Sequence, residues 1–215
     1  MKRFAIVLAG SGVYDGSEIH EATLSMYAIA TKGATYELFA PNIEQHHVIN
    51  HLTGEEMPEK RNVLVESARI ARGEIKDLKE FQAKNFDALL FPGGFGAAKN
   101  LSDFAIKGID CQIEHEVERS IRSMHEQQKP IGALCISPVL VARLLPDVEL
   151  TIGQDKGTLE AIEKMGATHK ETTHGQVVID KKNKVVTTPC YMLDANIKQI
   201  GDGANHAVEA ILSLL

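Results

Sequence analysis

The 215-residue chain has few cysteines, and the three present, Cys111, Cys135 and Cys190, stand in no close spacing. That pattern excludes a disulfide framework and a zinc site built on paired cysteines. It makes a reducing, cytosolic compartment the expected one. Basic stretches are missing too. The net charge is −6, and no run of lysine or arginine offsets it, which argues against a nucleic-acid partner. No apolar run reaches the length of a membrane span. Residues 4–9 follow Met1-Lys2-Arg3 directly, lack a small-residue cleavage site, and read as a first strand rather than a signal. A soluble protein without membrane attachment is expected. No internal repeat, linker or low-complexity segment interrupts the chain, and its length suits one domain over residues 1–215.

What is present is an alternation of strand and helix patterns from end to end. It predicts an α/β fold with a doubly wound, mainly parallel sheet between helices. Strands are expected at residues 4–9, 34–40, 88–92, 131–134 and 149–152. Helices are expected at 18–32, 63–71, 112–127, 138–145, 158–165 and 194–214. Residues 177–180 and 184–188 flank Lys181-Lys182-Asn183 as a small β-hairpin near the C-terminus. Gly10-Ser-Gly12 after the first strand is similar to the start of a dinucleotide fingerprint. The third glycine and the ribose acid do not follow in register, so no nucleotide cofactor is expected. Residues 44–62 show no regular pattern and carry His46, His47 and His51. No cysteine joins them, and the nearby acids are the exposed-looking pair Glu55-Glu56. A polar insertion or dimer-contact loop is therefore expected there rather than a metal site.

The chemistry-bearing stretch is Lys129-Pro-Ile-Gly-Ala-Leu-Cys135-Ile-Ser-Pro138. A short apolar strand runs into Cys135, and Ser137-Pro138 then reads as a helix start, with serine as cap and proline at the first helical position. A cysteine in a sharp strand-to-helix turn with small neighbours has the logic of a nucleophile elbow, exposed and set at a helix N-terminus that favours a thiolate. An inert buried cysteine is the alternative. After the strand at 88–92, Gly93-Gly94 frees backbone amides to form a nest for an oxyanion, and the Ile136 amide is the matching donor at the elbow. Ligands in such sheets bind beyond the carboxyl ends of the strands, so the loops after residues 9, 92 and 134 share one end. Glu18, at a helix start on the first of these loops, is the leading proton carrier. His20, two residues on, is expected to turn away from it, as a surface residue or a support behind the site.

Longer motifs resemble one family. Gly12-Val-Tyr-Asp-Gly-Ser-Glu18-Ile-His-Glu21, His51-Leu-Thr-Gly-Glu55, Arg61-Asn-Val-Leu64, Phe91-Pro-Gly-Gly-Phe-Gly-Ala-Ala-Lys-Asn-Leu101 and Val186-Thr-Thr-Pro-Cys-Tyr-Met192 are similar to the ElbB subfamily, the isoprenoid biosynthesis glyoxalases of the ThiJ/PfpI superfamily. The resemblance spans nearly the whole chain. It implies a flavodoxin-like, glutamine-amidotransferase-like domain, a homodimer, and a glutathione-independent lyase activity needing no metal or other cofactor. That activity converts a small aldehyde, glyoxal, to glycolate, with Cys135 as nucleophile and Glu18 as acid. One departure stands out. Relatives with amidase or protease activity carry a histidine just after the cysteine or about twenty residues on, whereas Ile136 and Thr151-Ile-Gly-Gln-Asp155 occupy those places. Amide cleavage is therefore not expected. A cysteine-based oxidative-stress sensor and a binding module without turnover remain the alternatives, and Cys111 and Cys190 are lesser candidates for the same pocket.

Overall fold

The first strand, β1 (Arg3–Val7), is buried along all but its first residue, and the glycine loop beyond it feeds α1 (Ile19–Thr31) and β2 (Thr35–Ala40). This computed structural model describes the whole chain, Met1–Leu215. Two-residue strands β3 (Val48–Ile49) and β4 (Glu56–Met57) precede α2 (Val63–Ile70) and β5 (Ile75–Asp77). Next come β6 (Ala88–Phe91), the short α3 (Phe95–Lys99) and α4 (Phe104–Lys107), α5 (His115–Glu126), β7 (Ile131–Leu134) and α6 (Pro138–Leu144). The chain ends with β8 (Glu149–Leu150), α7 (Lys156–Lys164), β9 (Thr168–His169), β10 (Val178–Asp180), β11 (Val185–Thr188) and α8 (Ile197–Ser213).

Seven strands form one sheet in the order β10-β11-β7-β6-β1-β2-β5, parallel throughout except for β10 at one edge. The expected flavodoxin-like α/β architecture and C-terminal hairpin are both present. β6, β7 and β11 are buried at every residue, which is why they read as unbroken apolar runs. Helices supply the cover: α1 packs on α8, and α5 lies against β6 and β7. One cluster of 52 buried residues makes the core. The path of the chain fixes the place of a site. It leaves β1 for one edge through β2 and β5, then returns to β6 and proceeds to the other edge. This reversal opens a crevice beyond the ends of β1 and β6, where the loops from Gly10 and from Pro92 meet.

Several small elements differ from expectation, and shortness is the common reason. Residues 149–152 yield the two-residue β8, which pairs with β9 outside the main sheet. β5, a three-residue edge strand, carries too little pattern to declare itself. Residues 44–62 contain the β3–β4 ladder, closed at its base by a bridge between Glu44 and Asn62. The hairpin turn is held by Asp180, whose carboxylate accepts from the Asn183 backbone amide (2.9 Å) and side-chain amide (2.7 Å). No helix is long and apolar enough to cross a membrane.

Candidate active site around Cys135

β7 ends at Leu134, and Cys135 follows with φ of 60°, a left-handed conformation that a side-chain-bearing residue holds only when its surroundings impose it. Its amide donates to the Thr188 carbonyl at 2.9 Å, fastening the turn to β11. Ser137 already has helical dihedrals, so its hydroxyl is not placed to cap α6, contrary to expectation. It donates instead to the Pro92 carbonyl at 2.7 Å and ties the elbow to the end of β6.

The thiol is not held in the open, as an exposed elbow would require: Cys135 is only 7% exposed. Gly93 closes against it from β6. A Cβ at Gly93 would overlap that of Cys135 and come within 2.5 Å of Glu21 Oε2, so contact rather than turn geometry demands glycine here. Gly94 has a φ of 98°, and a side chain there would strike the backbone of Gly16 and Glu18. The loop from Gly10 is laced to this strand end by the Glu18 amide on the Gly93 carbonyl (2.9 Å) and the Phe95 amide on the Val13 carbonyl (2.7 Å).

The carboxyl against the thiol belongs to Glu21. α1 buries Glu21, Ala22, Ser25, Ala28 and Ile29, the stripe that a helical period turns toward the sheet. Glu21 Oε2 accepts from the Gly93 amide at 2.7 Å and Oε1 from the Tyr191 amide at 3.3 Å, while the carboxyl also hydrogen-bonds the Cys135 thiol. Burial, and then the charge of Glu18, push the Glu21 carboxyl up to about 8. Burial pushes the Cys135 thiol up as well, and the Glu21 charge adds to it. Amides of Gly94 and Ile136 donate to the sulfur and pull the other way. Two anions in so dry a place repel each other, so thiol and carboxyl titrate as one unit that keeps at least one proton.

Of the residues anticipated for the site, Cys135, Gly94 and Ile136 converge on one sulfur. Gly93 joins them, but its amide is taken by Glu21 and is not free for an oxyanion. Glu18 lies one turn short of the thiol. Its extended dihedrals make it the cap of α1, and its carboxylate accepts from the Glu21 amide at 2.7 Å. Because Glu18 is not itself helical, His20 is not turned away from it as expected. His20 Nδ1 lies 3.9 Å from Glu18 Oε1 and 2.8 Å from the Tyr191 hydroxyl.

Glu21, Tyr191 and Cys190 were not foreseen as a group. Cys190 follows β11 with φ of 43° and is 5% exposed. Burial pushes its thiol up, and the charges of Glu21, Cys135 and Glu18 act in the same direction, which puts it beside the Cys135 cluster. Cys111 is elsewhere, with its carbonyl accepting from Arg143 Nε at 2.8 Å. The histidines of residues 44–62 do not converge, and the buried Nε2 of His47 has no hydrogen-bond partner. His51 Nε2 accepts from the Tyr14 amide (3.2 Å) and Nδ1 donates to the Ile49 carbonyl (3.0 Å), while the rings of His46 and His47 lie 4.8 Å apart. Nowhere are three or more His, Cys, Asp or Glu side chains gathered to hold a metal. The larger cavities, about 740 Å³ beside Tyr36 and Ile75 and about 550 Å³ beside His174 and His206, are not lined by Cys135.

A left-handed cysteine between strand and helix, on a doubly wound sheet, is a nucleophile elbow of an α/β protein. No family model matches the chain. Over 222 residues it is 48% identical to the human glutamine amidotransferase-like class 1 domain-containing protein 3, mitochondrial, covering 99% of this chain and 83% of that protein. It is 47% identical to the rat ES1 protein homolog, mitochondrial, with coverage of 99% and 84%. A crystal structure of an isoprenoid biosynthesis protein with an amidotransferase-like domain, from Ehrlichia chaffeensis, superposes with a TM-score of 0.93 at 36% identity, over 100% of this chain and 99% of that one. The chain belongs to this ES1-type, ElbB-like family of glutamine amidotransferase-like class 1 domain proteins. More distant structures, glyoxalase III from Candida albicans (TM-score 0.67, 13% identity) and Drosophila melanogaster DJ-1beta (0.57, 14%), share the fold.

The relatives' names also correct one expectation. The human, rat and zebrafish proteins are all named mitochondrial, which overturns the cytosolic assignment. Cysteine usage separates oxidising from reducing compartments and goes no further.

Proposed function

We propose that this protein is a cofactor-independent glyoxalase-type enzyme that converts glyoxal to glycolate on Cys135, with Glu21 rather than Glu18 as the proton carrier. The observation that carries the reading is the fully buried Glu21 carboxyl, pushed up to about 8, in hydrogen-bond contact with the thiol. A group poised near neutrality can accept a proton in one step and return it in the next.

In the first step sulfur bonds to one aldehyde carbon, the thiol proton passes to the ionised form of Glu21, a minor fraction at neutral pH for a carboxyl pushed up to about 8, and the oxygen developing negative charge is held by the Gly94 and Ile136 amides. Glu21 returns that proton to the oxygen, then carries the C–H proton of that carbon to its neighbour while the hydroxyl proton passes to the second oxygen through an enediol, leaving glycolate as a thioester on Cys135. Water cleaves the carbon–sulfur bond, restoring the thiol, so that glyoxal and water sum to glycolate. Glu18 contributes through its charge, which raises Glu21, and through its cap on α1. A second copy of the chain is the proposed partner. The exposed side chains of Tyr14, Leu52 and Phe95 give it an apolar surface to cover, and light scattering of the purified protein decides the point.

The test is glycolate formation by wild type, Cys135→Ser, Glu21→Gln and Glu18→Gln. The first two variants are expected to lose activity by about 10³-fold, and Glu18→Gln by no more than about tenfold. Equal activity in wild type and Cys135→Ser would refute the reading. One observation favours a binding module instead, namely the burial of Cys135. The same burial counts against an oxidative sensor, which needs an accessible, acidic thiol.

A further inference from the structure

We propose that Tyr191 and His20 form the proton relay that hydrolyses the Cys135 thioester, in place of the histidine the elbow lacks. The inference rests on Cys135 becoming acylated as described above.

Hydrolysis of the thioester needs a base for the attacking water. Glu21 is the proton carrier of the acylation steps and, pushed up to about 8, returns to its protonated form before deacylation, so it does not also take the proton of the water. The Gly94 and Ile136 amides can only donate. Tyr191 and His20 remain. The Tyr191 backbone is pinned to Glu21 Oε1 at 3.3 Å, directly after the left-handed Cys190, so its phenol is carried on a fixed turn. The hydroxyl lies 2.8 Å from His20 Nδ1, and the two rings stand 5.9 Å apart between centroids. Burial, with the charges of Glu18 and Glu21, pushes the phenol up. It therefore stays protonated and passes a proton along rather than acting as the final base. His20 is half exposed, and Glu18 Oε1 at 3.9 Å from its Nδ1 supports the positive charge that the ring acquires.

The step balances. Water gives a proton to the Tyr191 oxygen as the phenolic proton moves to His20 Nδ1, and the hydroxide so formed bonds to the acyl carbon. The carbon–sulfur bond breaks, the carboxylic acid leaves, and the thiolate recovers a proton from the imidazolium through the same phenol. Tyr191 touches the water and is the catalytic member. His20 acts through it and is a positioning residue.

The test uses p-nitrophenyl acetate, which acylates a thiol without any glyoxal chemistry. The burst of nitrophenol reports acylation of Cys135, and the steady rate reports deacylation. In Tyr191→Phe and His20→Ala the burst is expected to persist while the steady rate falls by on the order of 100-fold, with added imidazole restoring His20→Ala but not Tyr191→Phe. A steady rate within about twofold of wild type in both variants overturns the relay and leaves the glyoxalase reading to its own test. A wild-type protein that shows no burst and keeps its Cys135 thiol free removes the nucleophile, and both readings fall together.

Discussion

The crevice at Cys135 and the histidine-bearing segment of residues 44–62 are both rich in groups that can do chemistry, and they put them to opposite uses. At Cys135 the polar groups are dry and converge: one carboxyl and two amides meet one sulfur. In the segment the histidines do not meet on one atom: His51 spans Tyr14 and Ile49, the rings of His46 and His47 lie beside each other, and the buried His47 Nε2 has no partner. Count of reactive residue types is the same kind of signal in both places. Convergence and loss of water make the difference, because a desolvated carboxyl shifts its proton affinity whereas a half-exposed imidazole hydrogen-bonded to backbone serves as a brace.

The comparison can be broken most strongly through pH. Glu21 keeps a proton up to about 8 in the folded protein and releases it near 4.5, the ordinary value for a glutamate carboxyl, when unfolded. The folded state thus binds more protons across that window, so stability is full at pH 4.5 and is lost as pH rises toward 8. Wild type is expected to lose roughly 3–5 kcal/mol over the window relative to Glu21→Gln, measured by urea unfolding of both proteins at each pH. Parallel curves would mean the carboxyl is not desolvated. Next comes Gly93→Ala, where the new methyl meets the Cys135 side chain and Glu21; a loss of about 2–3 kcal/mol is expected by the same assay. No loss would show that the turn has slack.

Smaller effects belong to the other region. His51→Ala removes an acceptor for the Tyr14 amide and a donor to the Ile49 carbonyl, and is expected to cost about 1 kcal/mol in unfolding experiments. Replacing both His46 and His47 by asparagine should leave calorimetric zinc titrations unchanged. A zinc site lost with that double variant would reverse the comparison.

Much of the crevice was legible in the sequence. Pro138 and the small residues around Cys135 announce a strand-to-helix turn, and Gly93-Gly94 marks the facing strand end. What sequence could not weigh was burial. Glu18 stands first after the glycine loop and reads as the acid, yet its backbone caps the helix, and the carboxyl one turn later enters the site. A signal was there: Glu21 lies on the stripe shared by Ala22, Ser25, Ala28 and Ile29, where a charge has no business unless something holds it. Tyr191 was hidden, and Cys190 stood only as a lesser candidate, for another reason. They reach Glu21 through the parallel pairing of β11 with β7, a contact between residues far apart in the chain. The two-residue strands β3, β4, β8 and β9 are too short to show any period.

The central claim is that Glu21, and not Glu18, is the protonated carboxyl on Cys135. Carbon-13 labelling of glutamate side chains, followed by NMR across pH, observes it directly. One carboxyl resonance should titrate near pH 8, vanish in Glu21→Gln, persist in Glu18→Gln and shift in Cys135→Ser. If every glutamate titrates below about pH 5.5, in the ordinary range, or if the late-titrating resonance disappears with Glu18→Gln instead, the assignment is contradicted.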